Sequence, residues 1–96
     1  MIASFGDDRI ADLYHGRITN RVRRFPPNVK HLAVRKLDIL NAADRLEDLR
    51  EPPGNHLEAM KGDLSGHHSI RVNDQWRIIF RWKNNNAYDV SLTDYH

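Results

Sequence analysis

The hydrophobic pattern of this chain changes its period once, and that change limits the possible folds more than any other feature. Between residues 28 and 49 apolar side chains recur at helical spacing, as Val29, Leu37 and Leu40 do. After the break "REPPGNH" they alternate with polar side chains, most clearly in "QWRIIFRW". Strands joined by short turns are antiparallel neighbours, and helices must cover one of their faces. The pattern therefore predicts an α+β fold, a small antiparallel β-sheet with helices packed on one face.

The first half of the chain is predicted to supply one strand and two helices. "MIASF" alternates apolar and polar residues and is expected to form a first strand. "GDDRIADLYHG" is expected to form a short helix that Asp7 or Asp8 caps and Gly16 ends. The main helix is expected to begin at Asn28 as its cap and to end near Asn41.

The second half is predicted to form the rest of the sheet. Strands are expected in "HLEAM", "HSIRV", "QWRIIFRW" and "AYDVSLTDYH", with turns at "KGDLSG", "ND" and "KNNN". On the last strand Tyr88, Val90 and Leu92 are expected to share one side. The face that meets the helices is expected to carry Ile70, Val72, Trp76, Ile78, Phe80 and Trp82.

Length and composition indicate one domain spanning residues 1–96. The chain has no cysteine, which excludes disulfides, thiolate chemistry and cysteine zinc sites and fits a reducing compartment. Its start lacks the basic and apolar regions of a signal peptide, and no stretch approaches the roughly 20 apolar residues of a membrane span. We therefore expect a cytoplasmic protein that does not contact a membrane.

Positive charge is concentrated in the first half, although the net charge is only +2. Residues 13–37 contain no acid. They include Arg21, Arg23 and Arg24, which are candidates for contact with RNA or the ribosome. The alternative is a solvated face that keeps the protein soluble.

A second basic set is predicted on the sheet face that the helices leave open. Arg71, Arg77 and Arg81 alternate with the core-facing residues, so they should lie on that face. Guanidinium groups match phosphate oxygens in pairs, which favours phosphate binding. The alternative is that each arginine pairs with an acid such as Asp89 or Asp63 and only makes the sheet soluble.

The last three residues, Asp94, Tyr95 and His96, all carry groups that can handle protons. If the last strand lies beside "QWRIIFRW", they emerge near the arginines. Cleavage of RNA by its own 2′-hydroxyl needs a base, a positive group for the phosphate and an acid for the departing 5′-oxygen, and it requires no metal. His96 can serve as acid or base near neutral pH. The alternative is a frayed chain end without a role.

The stretch "LEAMKGDLSGHHSIRVNDQWRIIFRW", followed by the terminal "DYH", resembles the HigB toxins of the RelE-type superfamily. "MIASF" and "AVRKLDILNAADRLEDLREPPGN" agree as well, so the resemblance covers essentially the whole chain. It implies a single toxin domain with a RelE-like fold that cuts translated mRNA in the A site of the 70S ribosome without a cofactor. It also implies neutralisation by a HigA-type helix-turn-helix antitoxin, through which the complex would contact operator DNA.

The resemblance also implies roles for individual residues. Lys61 and Arg77 would neutralise the phosphate, and the closing residues would handle protons or hold the RNA. Some relatives carry a histidine three residues before the motif lysine, where this chain has Glu58. The general base therefore stays open between Glu58, the tail, and His56, which is expected on the same strand face.

The six histidines do not predict a metal site. No two of them have the i, i+4 spacing of zinc-binding helices, and the adjacent His67 and His68 should point to opposite faces of a strand. We expect His68 to reach the sheet face that carries the arginines, where RNA would bind. A different function also remains open: a non-catalytic basic module that binds RNA or the ribosome and blocks translation without cleavage.

Overall fold

The structure is a computed structural model that describes residues 1–94. Its helices are α1 (Asp8–Tyr14), α2 (Asn20–Arg23) and α3 (Pro27–Ala42), with 3₁₀ turns at Leu46–Arg50, Pro53–Asn55 and Gly62–Leu64. Its strands are β1 (Glu58–Ala59), β2 (His67–Arg71), β3 (Trp76–Lys83) and β4 (Asn86–Asp94). The strands form one antiparallel sheet in the order β1-β2-β3-β4, which confirms the predicted α+β fold. No helix within residues 1–94 has the length and apolar character that a membrane crossing needs.

The helix boundaries follow from local chemistry. The side chain of Asp7 accepts a hydrogen bond from the backbone N–H of Ile10 at 2.9 Å, which makes Asp7 the cap of α1. Helix α3 begins one residue before Asn28, so the prediction of Asn28 as its cap is wrong. Pro26 takes the cap position and Pro27 the first helical position, where a fixed φ and a missing N–H suit the start of a helix.

The core lies between the helices and one face of the sheet, as the alternation predicts. Ile70, Ile78 and Phe80 are fully buried in one cluster with side chains from the helices. Trp76 is partly buried at its margin, where its ring meets that of Phe25 edge-on at 5.8 Å. The α-helices therefore pack on one face of the sheet, and Arg71 and Arg77 lie on the other.

The predicted first strand is not a regular strand. The N-terminal segment instead forms two isolated parallel bridges with β4, Ile2 with Ala87 and Phe5 with Val90. The backbone N–H of Gly6 donates to the carbonyl of Val90 at 2.7 Å. The segment thus covers the outer edge of β4, which would otherwise expose unpaired backbone groups.

A bulge in β4 overturns the predicted arrangement of that strand. Ile79 pairs with Ser91, but Arg81, two residues on, pairs with Tyr88, so β4 holds one extra residue. Asp89 lies at this point with φ 52°, a left-handed conformation that aspartate tolerates better than most residues. Tyr88 therefore faces the side away from the core, whereas Val90 and Leu92 are buried in it.

Candidate active site

The sheet surface opposite the helices is called the open face here, and it carries the three predicted arginines. Arg71 and Arg77 pair directly across β2 and β3, and Arg81 follows on β3 with the same alternation. Thr93 of β4 lies opposite Arg77 on the other side. The predicted placement of Arg71, Arg77 and Arg81 on one face is confirmed.

Arg77 is fixed by two hydrogen bonds. Its Nε donates to the Oγ of Ser69 at 2.9 Å, and its Nη2 donates to the backbone carbonyl of His56 at 2.7 Å. The remaining N–H groups of the guanidinium stay available to a phosphate. Within residues 1–94, no carboxylate lies at salt-bridge distance from Arg77.

The carbonyl of His56 is positioned by a buried amide one residue earlier. Asn55 is fully buried, and its Nδ2 donates to the carbonyls of Leu49 and Glu51, each at 3.1 Å. Lys36 of α3 donates to the Oδ1 of Asn55. This network ties the loop to the helical layer and so holds one acceptor of Arg77 in place.

His56 itself lies outside the strands. It follows the 3₁₀ turn Pro53–Asn55 with φ 45° and precedes β1, which begins at Glu58. The expectation that it shares a strand face with Glu58 is wrong, because that alternation requires both residues to be extended.

Lys36 of α3 lies close enough to Arg35 and Arg71 for their charges to act on it. Burial lowers the pKa of Lys36 from its ordinary value, and the positive charges of Arg35 and Arg71 lower it further. Arg71 itself pairs with Asp74 in the β2–β3 turn.

The other open-face arginine is also paired. The Nε of Arg81 lies 3.8 Å from the Oδ2 of Asp89 and 3.4 Å from the Nε2 of His67. The pairing with acids that we considered for all three arginines therefore applies to Arg71 and Arg81. Among the three, Arg77 is the one whose partners in the described chain are neutral.

Glu58 and Lys61 line one concavity near Ser69, which accepts a hydrogen bond from Arg77. Glu58 pairs with Ser69 across β1 and β2, so its side chain belongs to the open face. Lys61 follows at the start of the 3₁₀ turn Gly62–Leu64, and the concavity holds about 420 Å³. Asp63 also lines this concavity, which thus holds two carboxylates that can accept a proton and one ammonium that can offset a phosphate charge.

The end of β4 lies beside the strand position of Arg77. Asp94 pairs with Trp76, one register position from the Arg77–Thr93 pair, and its Oδ2 accepts a hydrogen bond from the Nε2 of Gln75 at 3.0 Å. By strand alternation its side chain is directed to the opposite side from Thr93. Tyr95 and His96, for which we predict contact with the RNA and proton transfer, lie outside the described residues.

The prediction that His68 reaches the open face is wrong. His68 pairs with Phe80 across the strands, and their rings stack at 6.1 Å on the helix side of the sheet. Its neighbour His67 takes the open-face position instead. In residues 1–94 no group of three or more histidine, aspartate or glutamate side chains is arranged to hold a metal ion.

The basic residues of α2 belong to the helical layer. Arg21 lies 3.1 Å from Asp8 and 3.7 Å from Asp12, both of α1. Arg23 and Arg24 are exposed. These three arginines are therefore separate from the open face, and their predicted contact with RNA or the ribosome stays a prediction.

Three structural features of the open face are not predictable from the sequence. Ser69 and the carbonyl of His56 hold Arg77, and Tyr88 is brought beside Arg81 by the bulge. A serine on a strand and a backbone carbonyl give no distinctive pattern in a sequence. The left-handed backbone of Asp89, which marks the bulge, is visible in the structure but not in the sequence.

Comparison with known proteins identifies the family. The family model of HigB-like toxins, described as the RelE-like toxin of the type II toxin–antitoxin system HigB, matches residues 3–96. Toxin HigB-1 of Vibrio cholerae is 40% identical over 92 residues, which cover 96% of this chain and 95% of the relative. Endoribonuclease HigB of Proteus vulgaris is 45% identical over 40 residues, which cover 42% of this chain and 44% of the relative.

A solved structure has the same fold. A chain of a YoeB–YefM complex from Staphylococcus aureus superposes with a TM-score of 0.61 at 16% identity, over 100% of this chain and 98% of that one. At this identity the likeness concerns the fold. The family model matches residues 3–96, which include the strands that carry the open face. This chain belongs to the HigB-like family of RelE-like toxins of type II toxin–antitoxin systems.

Proposed function

We propose that this protein is an endoribonuclease that cuts translated mRNA in the A site of the ribosome and thereby stops translation. The fixed guanidinium of Arg77 on the open face is the observation that carries the proposal. The name of the Proteus vulgaris relative, Endoribonuclease HigB, supports it over the 40 matched residues.

Arg77 is suited to stabilise the phosphate during cleavage. Attack on a phosphodiester crowds negative charge onto the phosphate oxygens, and a preorganised donor stabilises that charge without having to reorient. Ser69 and His56 supply this preorganisation through their hydrogen bonds to Arg77. Lys61, in the neighbouring concavity, adds a second positive group.

The reaction uses the nucleophile that RNA carries. A base removes the proton of the 2′-hydroxyl, the 2′-oxygen forms a bond to phosphorus, and the bond from phosphorus to the 5′-oxygen breaks. The departing oxygen takes a proton from an acid, a role that we propose for His96. The products are a 2′,3′-cyclic phosphate and a 5′-hydroxyl. No step in this sequence requires a metal ion.

Among the candidates for the general base, Glu58 has the best structural support. Its carboxylate is on the open face next to Ser69 and shares its concavity with Lys61, whose charge offsets the repulsion between a carboxylate and a phosphate. His56 and Tyr95 complete the set that we propose to contact the ribose and the scissile phosphate, whereas the side chain of Asp94 is directed to the other side of the sheet from Thr93 and Arg77. Alignment of the message by the ribosome would supply part of the lowering of the barrier.

We further propose that a HigA-type helix-turn-helix antitoxin neutralises the toxin. The family description names a type II toxin–antitoxin system, which supports a protein antitoxin as the partner. Contact of the complex with operator DNA would then occur through the helix-turn-helix domain of that antitoxin.

Cleavage of mRNA on purified ribosomes tests the proposal. Message bound in the A site should yield a new end with a 5′-hydroxyl and a 2′,3′-cyclic phosphate, and Arg77→Ala should reduce the rate by about 100-fold or more, as loss of a transition-state donor does. His96→Ala should slow cutting and leave ribosome binding in place. Arrested translation on intact message would contradict the proposal and support the non-catalytic alternative.

A further inference from the structure

We propose that the open face contains a second nucleotide subsite, built by Tyr88, Arg81 and Lys83, which holds a further nucleotide of the same single-stranded message. The base would stack on the ring of Tyr88, and the phosphate would bind Arg81 and Lys83. The proposal rests on the proposed function, since it requires RNA on the open face.

The bulge in β4 creates this subsite. Without the extra residue at Asp89, the side chain of Tyr88 would point into the core with Val90 and Leu92. With it, Tyr88 lies directly opposite Arg81 and on its side of the sheet. A concavity of about 280 Å³ opens there, lined by Arg81, Lys83, Asn84, Tyr88 and Asp89.

The chemistry of this concavity matches a nucleotide. An aromatic ring on a positively charged surface is the usual platform for single-stranded nucleic acid, because each base has a π-face and each linkage carries a negative charge. Tyr88 is half-buried and outside the hydrophobic core cluster of the described residues. Packing in the core therefore does not account for its position.

The carboxylate of Asp89 competes with the phosphate for Arg81. Its carboxylate lies 3.8 Å from the Nε of Arg81 and partly neutralises it. A phosphate that binds Arg81 must compete with this carboxylate. Removal of its charge should therefore strengthen RNA binding, whereas a purely structural pairing predicts no such gain.

The position of the concavity fits a nucleotide about two units from the one that is cut. Arg81 follows Arg77 by four positions on β3, which corresponds to about 13 Å along a strand. Both side chains are on the open face. One extended RNA strand can therefore contact Arg77 with the scissile phosphate and the Tyr88 concavity with a nucleotide about two units away.

Binding of an uncleavable RNA tests the subsite. The probe is a short single-stranded oligonucleotide with 2′-methoxy groups, which lacks the attacking hydroxyl, and its Kd is measured by fluorescence anisotropy at several salt concentrations. Tyr88→Ala should raise the Kd about tenfold or more without changing the salt dependence, because stacking carries no charge. Tyr88→Phe retains the ring and should bind like the wild type.

Two charge variants should change the affinity for RNA in opposite directions. Lys83→Gln should lower the slope of log affinity against log salt by about 0.7, the value for one phosphate contact on a single strand. Asp89→Asn should tighten binding, and asparagine tolerates the left-handed backbone of that position. Arg50→Gln, an equal loss of charge on the helical layer, is the matched control and should leave the slope nearly unchanged.

An unchanged Kd for Tyr88→Ala, or equal slopes for Lys83→Gln and Arg50→Gln, would overturn the subsite. So would a wild-type protein that does not bind the probe. None of these results bears on cleavage, which the ribosome assay measures separately. Failure of the subsite and failure of the proposed endoribonuclease activity are therefore distinguishable.

Discussion

At the scale of single residues, the important difference among the open-face arginines is how each one is held. Arg71 and Arg81 have carboxylate partners, Asp74 and Asp89, that a phosphate would have to displace. Arg77 is held by a hydroxyl and a carbonyl, which fix its orientation and leave its charge uncompensated by an acid in the described chain. A fixed and uncompensated cation is what stabilisation of a phosphate transition state needs.

Ser69→Ala tests whether this fixation matters. Ser69 is fully buried, and loss of its Oγ leaves the Nε of Arg77 without its acceptor. We expect cleavage on the ribosome to slow by about tenfold, since the net value of one hydrogen bond is about 1 kcal/mol or somewhat more when a charged group takes part. Single-turnover cleavage rates at saturating toxin measure this effect.

Ser91→Ala is the matched control for Ser69→Ala. Ser91 is also on the open face, opposite Ile79, but it is not one of the hydrogen-bond acceptors of Arg77 in the described chain. It should cleave at the wild-type rate. Equal rates for the two variants would show that the hydroxyl of Ser69 does not position Arg77.

The sequence predicts the face on which each arginine of β3 lies but not what holds it. Alternation along "QWRIIFRW" is enough to separate Arg77 and Arg81 from the core residues. The acceptor from His56 is a backbone carbonyl, and its position depends on a left-handed residue and on the buried Asn55. Contacts of this kind depend on tertiary packing, which local patterns do not record.

At the scale of elements, the N-terminal segment and the β4 bulge form one unit. Gly6 passes so close to β4 that a Cβ atom on it would lie 2.9 Å from the carbonyl oxygen of Asp89. The backbone N–H of Asp89 also donates to the Oγ of Ser4 at 2.9 Å. The segment therefore supports the bulge that directs Tyr88 to the open face.

Gly6→Ala should destabilise the protein. The added methyl meets a backbone oxygen that cannot move without disturbing the bulge, and overpacking of this kind costs about 1–3 kcal/mol. Urea denaturation should show the loss. Gly54→Ala is the matched control, because a Cβ there has nothing within 4 Å, and an equal loss of stability in both variants would contradict this account.

Regular elements were predictable where one period runs unbroken. Helix α3 and strand β3 have such periods, and both were located from them. The failures occur where the period breaks: one extra residue at Asp89 reverses the side of Tyr88, and "MIASF" pairs at two positions instead of forming a regular strand. A bulge changes no residue type, so alternation on both sides of it still looks continuous in the sequence.

At the scale of the whole molecule, the helical layer and the sheet have different roles. The helices bury one face of the sheet and tie the loop at Asn55 to α3 through Lys36, while the open face displays cations. The exposed Arg23 and Arg24 place further positive charge on the helical layer, whereas Arg21 is paired with Asp8 and Asp12. A message could thus lie on the sheet while other cations remain available to ribosomal RNA.

The most direct test of the central claim is to map the 5′ ends of cellular mRNA after brief induction of the toxin without an antitoxin. Our account predicts new ends within translated reading frames for the wild type and for Arg50→Ala, an exposed arginine outside the open face. It predicts their loss in Arg77→Ala. Undiminished cutting by Arg77→Ala, or growth arrest by the wild type without any new ends, would contradict the claim that this sheet cleaves RNA.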